Sequence, residues 1–285
     1  MPEIWFPNLG IKINRLSREA FSVFGFSVYW YAILIMLGFA AALFLARREA
    51  KRIGHDPVLY EDFTLWILIV GIIGARAYYV IFSWDNYRNN PLEVFNIREG
   101  GLAIYGGIIA VFFASLVFVR LKRISLLPFL DVIAPCVAVA QAIGRLGNFV
   151  NREVFGGYTD GLFAMRYRAE QAAAIPPSVA EHMINENGVL YIQVQPTFLY
   201  ESLWNVGLFA LLTYFSRRKR FDGQILLMYF IGYGIGRFWI EGIRTDQLML
   251  GGVPVSQALS AILAVLCGVI FIYKLKTEGS KCSKN

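Results

Sequence analysis

Charged side chains lie inside long apolar segments of this chain, where ionised groups are costly and usually functional. A single buried arginine can be a structural pin bound to a carbonyl or carboxylate. Arginines that reach a similar depth in three segments instead favour an anionic ligand, because their mutual repulsion must be offset. The charged residues at such positions are Arg76, Asp131, Arg145, Arg237 and Glu241, with Glu153 at the edge of a segment.

One of these segments carries three polar residues at helical spacing. Tyr233, Arg237 and Glu241 are separated by four residues each, so a helix would place them in one stripe on one face. The stripe could be an arginine–glutamate pair that only neutralises itself. In lipid such a pair costs several kcal/mol of desolvation unless it has further partners, which favours a functional stripe.

Another segment ends in polar residues that share a helix face. Gln141, Arg145 and Asn148 are spaced i, i+4, i+7. An arginine fork binds a phosphate through two parallel hydrogen bonds, and an asparagine supplies both a donor and an acceptor. A frayed helix end would explain the polar residues that follow, but not an arginine at the depth of Arg145. The pattern therefore favours a phosphate site.

Two glycine pairs flank Tyr105, at Gly100-Gly101 and Gly106-Gly107. This arrangement is typical of a tight turn with a tyrosine at the membrane surface. It is equally typical of a backbone that must approach lipid headgroups closely. The pattern leaves both interpretations open.

The segments that carry these residues predict the fold class. The 285-residue chain is 57% hydrophobic and 16% charged, whereas soluble domains are about a quarter charged. Apolar segments near the length of a membrane-spanning helix predict an all-α polytopic membrane protein of about seven transmembrane helices. The fourth and sixth segments are rich in small residues, which predicts that they lie at the bundle centre. The segments are 22–46, 62–82, 102–119, 126–150, 197–215, 223–241 and 256–273.

Composition also argues against several classes of protein. The net charge of +7 could suggest nucleic acid, but the basic residues lie in short clusters at the ends of the apolar segments. Two histidines and three cysteines show no metal-ligand or disulfide spacing. We therefore expect no nucleic acid partner, no metal and no nucleotide or redox cofactor.

The distribution of Lys and Arg predicts the orientation. Fifteen of the 27 basic residues lie in the short connections after the first, third and fifth segments and in the C-terminal tail. Because the denser side is cytoplasmic, we expect the N-terminus outside and the C-terminus in the cytoplasm. Residues 151–196 would then form an extracytoplasmic cap within one transmembrane domain, 1–285. The sequence Ser178-Val-Ala-Glu181 resembles a capping box and predicts a short helix there.

The sequence resembles the bacterial prolipoprotein diacylglyceryl transferase family over nearly its whole length. The main motif is GRLGNFVNREVFG, residues 144–156. Supporting motifs occur in order: Tyr29-Trp30-Tyr31, Gly74-Ala75-Arg76, the glycine pairs around Tyr105, Pro196-Thr-Phe-Leu-Tyr200-Glu201, and Gly232-Tyr233-Gly-Ile-Gly-Arg237 with Glu241.

The resemblance implies a reaction and its partners. An sn-1,2-diacylglyceryl group would pass from phosphatidylglycerol to the lipobox cysteine thiol of a preprolipoprotein signal peptide. The products would be a thioether-linked precursor and sn-glycerol 1-phosphate, in the first step of bacterial lipoprotein maturation. The protein would be a multi-pass protein of the bacterial cytoplasmic (inner) membrane.

For this reaction we expect individual roles of the candidate residues. Arg145 and Asn148 would hold the phosphate, and Arg237 would stabilise charge on the leaving phosphate. Glu241 and Glu153 would orient the arginines. The predicted catalytic residues are Arg237, Tyr105 and Glu241. The predicted phosphatidylglycerol-binding residues are Arg145, Asn148, Glu153, Tyr31, Tyr233 and Arg76.

Two positions depart from the family pattern. Tyr105 and Gln195 stand where the family often has histidine, so a histidine base does not apply at position 105, and we expect Tyr105 chiefly to position and polarise the lipid. The main alternative function is a transporter or channel for an anionic solute, which would also place arginines in a helix bundle. A non-catalytic scaffold would not explain the buried arginines.

Overall fold

The computed structural model describes residues 3–97, 100–172, 174–245, 247 and 249–282. This part of the chain is mostly helical. The helices are α1 (Trp30–Ile53), α2 (Val58–Phe82), α3 (Ile104–Lys122), α4 (Leu126–Asn151), α5 (Pro177–Ala180), α6 (Thr197–Ser216), α7 (Gln224–Ile243) and α8 (Val255–Cys282). The strands are β1 (Ile4–Phe6), β2 (Ile11–Ile13), β3 (Glu19–Val23), β4 (Phe26–Tyr29), β5 (Met165–Arg168), β6 (Ile184–Glu186), β7 (Val189–Val194), β8 (Met249–Leu250) and β9 (Val253–Pro254).

Five of the described helices, α1, α2, α3, α4 and α8, are long and apolar enough to cross a membrane. Together they make this a polytopic membrane protein. α6 and α7 are each 20 residues long, but they lie outside this group. Their lower hydropathy is consistent with the polar residues they carry, which include Glu201, Arg237 and Glu241.

The prediction of a helix that begins at residue 22 is wrong at its start. Residues 22–29 belong to the hairpin of β3 and β4, and α1 begins only at Trp30. Phe24 and Gly25 both have positive φ, at 51° and 81°, which makes the tight turn of a two-residue hairpin. This stretch is mostly apolar, so its hydropathy is that of a membrane-spanning helix. Its apolar residues alternate with Ser22 and Ser27 on either side of the turn, and this alternation is typical of a strand.

The all-α prediction is therefore incomplete. β1, β2, β5, β6 and β7 form a five-stranded antiparallel sheet in the order β2-β1-β5-β7-β6. Its strands come from residues 4–13 and from the 151–196 segment, so the predicted cap includes N-terminal strands that the sequence did not suggest. Each strand is short, and β1 pairs with β5, which is about 160 residues away along the chain, so local patterns do not reveal the sheet.

The short helix predicted in this segment is present as α5, but the predicted capping box does not start it. Its N-cap is Pro176, and no side chain caps it. Pro177 occupies the first helical turn, where a missing N–H costs nothing. The Pro-Pro pair, rather than Ser178, therefore starts the helix.

The chain divides into two compact units, Met1–Ala42 with Ile133–Asn285, and Leu43–Val132. In the first unit, α4, α6 and α7 pack around Ala138, Leu212 and Tyr229. α7 also packs closely against α8 (Gly234 faces Ser260 and Ala264). α4 is the most buried of the five candidate membrane spans. These contacts agree with central positions for the two segments rich in small residues.

The second unit contains α2 and α3, which pack against each other along most of their length. Gly74 of α2 lies against Gly106 and Ala110 of α3, so the two backbones approach closely. At the other end of the pair, Tyr60 stacks on Phe129 with ring centroids 5.0 Å apart, and Phe63 meets Phe129 edge-on at 4.9 Å. This unit carries Arg76 and Tyr105.

Candidate active site

A buried carboxylate, Glu201, joins the arginines of two other helices. Its Oε2 lies 2.5 Å from Nε of Arg145 on α4, and its Oε1 lies 3.4 Å from Nη1 of Arg237 on α7. The Glu201 side chain is only 6% exposed. Ser202, the next residue, donates a 2.9 Å hydrogen bond to the carbonyl of Ala142, which fixes α6 against α4 at this level.

A second carboxylate completes the cluster. Glu241 Oε2 lies 2.6 Å from Nη2 of Arg237, as the predicted stripe on α7 requires, and 3.8 Å from Nη1 of Arg244. Arg244 also lies 4.0 Å from Glu201. We call Arg145, Glu201, Arg237, Glu241 and Arg244 the arginine cluster.

The two central arginines are held differently. Arg237 contacts a carboxylate with each terminal nitrogen, Nη1 to Glu201 and Nη2 to Glu241. Within the described residues, the guanidinium of Arg145 has one protein partner, Glu201, and it contacts that partner through Nε. The terminal nitrogens of Arg145 are therefore available to an anionic ligand, in the fork arrangement that suits a phosphate.

The open donors of Arg145 give the cluster its chemistry. Removing ionised groups from water is costly, and the attraction between paired groups offsets only part of this cost. An anionic ligand would satisfy the terminal nitrogens of Arg145. The arrangement therefore fits a phosphodiester, and it is placed to stabilise negative charge that develops on it.

A second polar group lies at the end of α4. Asn148 and Asn151 both donate to Oε1 of Glu153, at 3.0 and 3.2 Å. Asn148 is buried, and Glu153 is half-buried. Asn148 therefore binds Glu153. Arg145, on the same helix, binds a different carboxylate, that of Glu201.

Tyr31 approaches this polar group from α1. Its ring lies against Gly147, where any side chain would collide with it. A cavity of about 400 Å³ is lined by Tyr31, Tyr29, Arg18, Asn151 and Glu153, together with Ala32. A larger cavity of about 730 Å³ shares Arg18 and Tyr29 with it. Polar space therefore continues from the end of α4 toward the N-terminal segment.

The motif after α4 is fixed by contacts on both sides. Arg152 is buried, and its Nη2 binds the carboxylate of Glu3 at 2.8 Å and the carbonyl of Leu16 at 2.6 Å. Burial lowers the pKa of the Arg152 guanidinium, and the Glu3 carboxylate opposes that shift. Gly156 forms a β-bridge with Arg244, which brings the end of the motif to the end of α7.

Tyr233 lies on the predicted stripe but turns toward another tyrosine. Its ring stacks on Tyr229 at 5.8 Å, and Tyr229 donates a 3.1 Å hydrogen bond to Oε1 of Gln141. Gln141 and Tyr233 thus belong to the contact between α4 and α7. Gln141, Arg145 and Asn148 lie on one face of α4, as predicted. Their partners differ, however, and are Tyr229, Glu201 and Glu153 in that order.

Arg76, in the second unit, has no donor left for a ligand. Its Nε binds the carbonyl of Val94 at 2.7 Å, and its four terminal N–H groups bind further carbonyls at 2.7 to 3.0 Å. A guanidinium has five N–H donors, so all are used. This geometry favours the structural pin that the sequence left open. The other four carbonyls are those of Glu93, Asn96, Gly100 and Gly101.

Tyr105 lies in the first turn of α3, after the segment that Arg76 holds. Its side chain is 46% exposed. Gly100 and Gly101 have φ of 92° and 76°, and both accept a hydrogen bond from Arg76 through their carbonyls. The backbone of this glycine pair therefore closely approaches another group, and that group is the guanidinium of Arg76.

Two members of the arginine cluster were not predicted from the sequence as site residues, Glu201 and Arg244. Glu201 is a carboxylate one turn inside the fifth apolar segment. An ionised group at such a position is costly and usually functional, so its position alone could have identified Glu201 as a candidate. Arg244 follows the last residue of α7. It read as an ordinary basic residue of a connecting segment, and no sequence signal distinguished it.

Comparison with known proteins places this chain in a family. The family model of prolipoprotein diacylglyceryl transferase matches residues 18–273. A phosphatidylglycerol–prolipoprotein diacylglyceryl transferase of Enterococcus faecalis is 44% identical over 274 residues, covering 95% of each chain. Proteins of the same name from Listeria welshimeri and Finegoldia magna are 42% and 44% identical, and cover 93% and 92% of this chain and 92% and 97% of their own.

Proposed function

We propose roles for individual residues from the premise that this chain belongs to the prolipoprotein diacylglyceryl transferase family. The chain is a multi-pass membrane protein that transfers a diacylglyceryl group from phosphatidylglycerol to a prolipoprotein, the diacylglyceryl transfer step of lipoprotein maturation. The relatives give no support to the alternative of an anion transporter or channel. The proposals that follow concern the chemistry of the acceptor, the groups that act on the lipid and the arrangement in the membrane.

The acceptor atom is the lipobox cysteine thiol of a signal peptide. Thiolate is the reactive form of cysteine. Its sulfur attacks the glycerol carbon that bears the phosphate ester, so a C–S bond forms as the C–O bond breaks. The electron pair of the broken bond leaves with sn-glycerol 1-phosphate, and the phosphate passes from one negative charge to two. The thiol proton is lost at or before attack.

The arginine cluster supports this chemistry. Arg145 grips the phosphate through its terminal nitrogens, which no described residue uses. Arg237, held between Glu201 and Glu241, presents a fixed positive charge to the phosphate as its negative charge grows. Glu241 and Glu201 orient the arginines and limit their repulsion. The observation that carries this proposal is that Arg145 contacts Glu201 through Nε and keeps its terminal nitrogens open to a ligand.

The remaining predicted residues support the lipid from the sides. Asn148 and Glu153 form a polar group beside the cavity at Tyr31, which suits glycerol hydroxyls of the headgroup. Tyr233 supports the α4–α7 contact through Tyr229. Tyr105 positions and polarises the lipid. For Arg76 we propose a structural part in place of direct phosphate binding, because its donors are all used within its own unit.

For the arrangement in the membrane, we propose the orientation predicted from the basic residues. Seven helices, α1–α4 and α6–α8, cross the bacterial cytoplasmic membrane, with the N-terminus outside and the C-terminus in the cytoplasm. The five-stranded sheet is then the extracytoplasmic cap. Three of the connections rich in Lys and Arg lie at the ends of α1, α3 and α6, where the positive-inside rule places cytoplasmic residues.

The test is replacement of Arg145 by lysine, which keeps the charge but cannot form the fork. Arg145→Lys in phosphatidylglycerol vesicles should lower lipidation of a lipobox peptide by on the order of a hundredfold, the scale of one catalytic hydrogen-bond donor. Arg217→Lys, after α6, is the matched control and should keep full activity. Both variants should elute as folded protein from size-exclusion chromatography. A near-normal rate for Arg145→Lys would reject the fork.

A further inference from the structure

The hairpin of β3 and β4 presents an apolar surface outside the helices. Phe21 pairs with Val28 and Val23 with Phe26, so these four side chains stand on one face, and Ser22 and Ser27 stand on the other. Phe21 and Phe26 are 52% and 61% exposed. No other described strand pair in the chain carries two phenylalanines in this way. A surface of this kind marks a binding face.

The tip of the hairpin is more unusual than its strands. Phe24 is 98% exposed, more than any other large hydrophobic residue in the described part of the chain. Its φ is 51°, in the left-handed region that bulky side chains rarely adopt. Turns with positive φ at both central residues strongly favour Asn-Gly. A phenylalanine is therefore kept at a position that disfavours it both by solvation and by backbone strain.

The chain contains its own comparison for this turn. Asn187 and Gly188 join β6 to β7 with φ of 51° and 82°, almost the same values as Phe24 and Gly25. Asn187 is also exposed. The two turns thus share one backbone geometry, and only one carries an aromatic residue. The geometry of the turn does not require phenylalanine, so its side chain must serve another purpose.

The place of the hairpin identifies the partner. β4 ends at Tyr29 and α1, a candidate membrane span, begins at Trp30 without a connecting residue. The backbone N–H of Trp30 donates to the carbonyl of Arg18 at 3.1 Å, which ties the start of the hairpin to the helix. At about 3.3 Å per residue, a strand of this length keeps the tip within about 15 Å of the start of α1. The hairpin therefore lies at the membrane surface.

We propose that this hairpin is a membrane-surface anchor, which inserts Phe24 and its apolar face among the lipids at the N-terminal end of α1. Arg15 and Arg18, exposed just before β3, are placed to contact anionic headgroups. Aromatic rings are favoured at this depth, because they combine apolar area with tolerance of the wet headgroup layer. The proposal does not depend on the reaction at the arginine cluster.

The first test compares the two turns in the full chain. Single cysteines at positions 23 and 187, with Cys136, Cys267 and Cys282 replaced by alanine, are labelled with one small environment-sensitive fluorophore, so that Phe24 itself is kept. The protein is reconstituted in vesicles of phosphatidylcholine and phosphatidylglycerol. Iodide in the aqueous phase should quench position 23 roughly tenfold less than position 187, the scale expected for burying one aromatic side chain. Nitroxide lipids with a shallow label should quench only position 23.

The second test asks whether Phe24 itself holds the hairpin in lipid. With the fluorophore at position 23, Phe24→Asn should raise iodide quenching several-fold. This substitution copies the Asn187-Gly188 turn and is expected to preserve the hairpin, so loss of protection is not loss of folding. Equal quenching at positions 23 and 187 in the chain that keeps Phe24 would overturn the proposal. Protection of position 23 that appears only when lipobox peptide is added would also overturn it, in favour of a peptide-binding surface.

Discussion

At the scale of single residues, the site depends on how Glu201 shares its carboxylate. One oxygen contacts Arg145 and the other contacts Arg237, so two arginines from different helices are held at a fixed separation. Such preorganisation matters for catalysis, because donors that are already in place need not reorganise as charge develops. Glu241, by contrast, contacts Arg237 and Arg244, which lie on or next to its own helix.

This difference predicts unequal effects of two isosteric substitutions. Glu201→Gln and Glu241→Gln each remove one negative charge from the arginine cluster, but only the first removes the link between Arg145 and Arg237. We expect Glu201→Gln to lower kcat/KM by on the order of a hundredfold, the scale of misplacing a reacting group, and Glu241→Gln to lower it less. Steady-state lipidation of a lipobox peptide measures both. A larger loss in Glu241→Gln would assign the linking role to Glu241.

Tyr105 carries a separate prediction at the same scale. A phenol is mostly protonated at neutral pH, so it donates a hydrogen bond more readily than it accepts a proton. Tyr105→Phe should lose roughly tenfold or more in lipidation rate, the scale of one well-placed hydrogen bond. Tyr105→His should retain activity, because imidazole also presents a donor. The rates are measured from pH 6 to pH 9, and full activity of the phenylalanine variant throughout would leave Tyr105 as an interfacial anchor.

At the scale of elements, one arginine shapes the connection between α2 and α3. The carbonyls that bind Arg76 all belong to the segment from Glu93 to Gly101, and its guanidinium also lies over the Tyr87 ring at 5.2 Å. One side chain thus donates hydrogen bonds to five carbonyls of this segment. The segment that leads to Tyr105 therefore depends on α2.

Replacing this arginine should loosen the segment without unfolding the helices. Lysine has three donors on a single nitrogen and cannot reproduce five separated hydrogen bonds. In Arg76→Lys, amide hydrogen exchange of residues 91–97 should become faster while that of α2 and α3 changes little. Arg88→Lys, at an exposed arginine in the same connection, is the control and should exchange as the unmodified chain does. Unchanged exchange in Arg76→Lys would show that the pin is dispensable.

At the scale of the whole molecule, orientation in the membrane can be tested directly. Cysteines placed singly at Asn90 and Asn187, in a chain without its native cysteines, should react with a membrane-impermeant maleimide added to intact cells. A cysteine at Lys219, in the basic connection between α6 and α7, should react only after the membrane is opened. The reason is the positive-inside distribution of Lys and Arg. Labelling of position 219 from outside would reverse the proposed topology.

The sequence by itself determined the helices, the family and most of the charged residues of the site. Long apolar segments can form little except helices in a membrane, because every backbone polar group must find a partner within the segment. Six of the seven predicted segments begin within a few residues of a helix for this reason. The Arg237–Glu241 pair could also be predicted from the sequence, since residues four apart on one helix are neighbours on its surface.

The tertiary structure alone decided which charges meet across helices. Helical periodicity places Arg145 on a face of α4 but says nothing of the partner opposite, which is why Glu201 and Arg244 became site residues only in three dimensions. The same holds for Arg76, whose type and depth matched a phosphate ligand until five carbonyls were seen around it. Residue type limits what a side chain can bind, but the contacts between distant segments determine what it does bind, because short-range patterns carry no record of them.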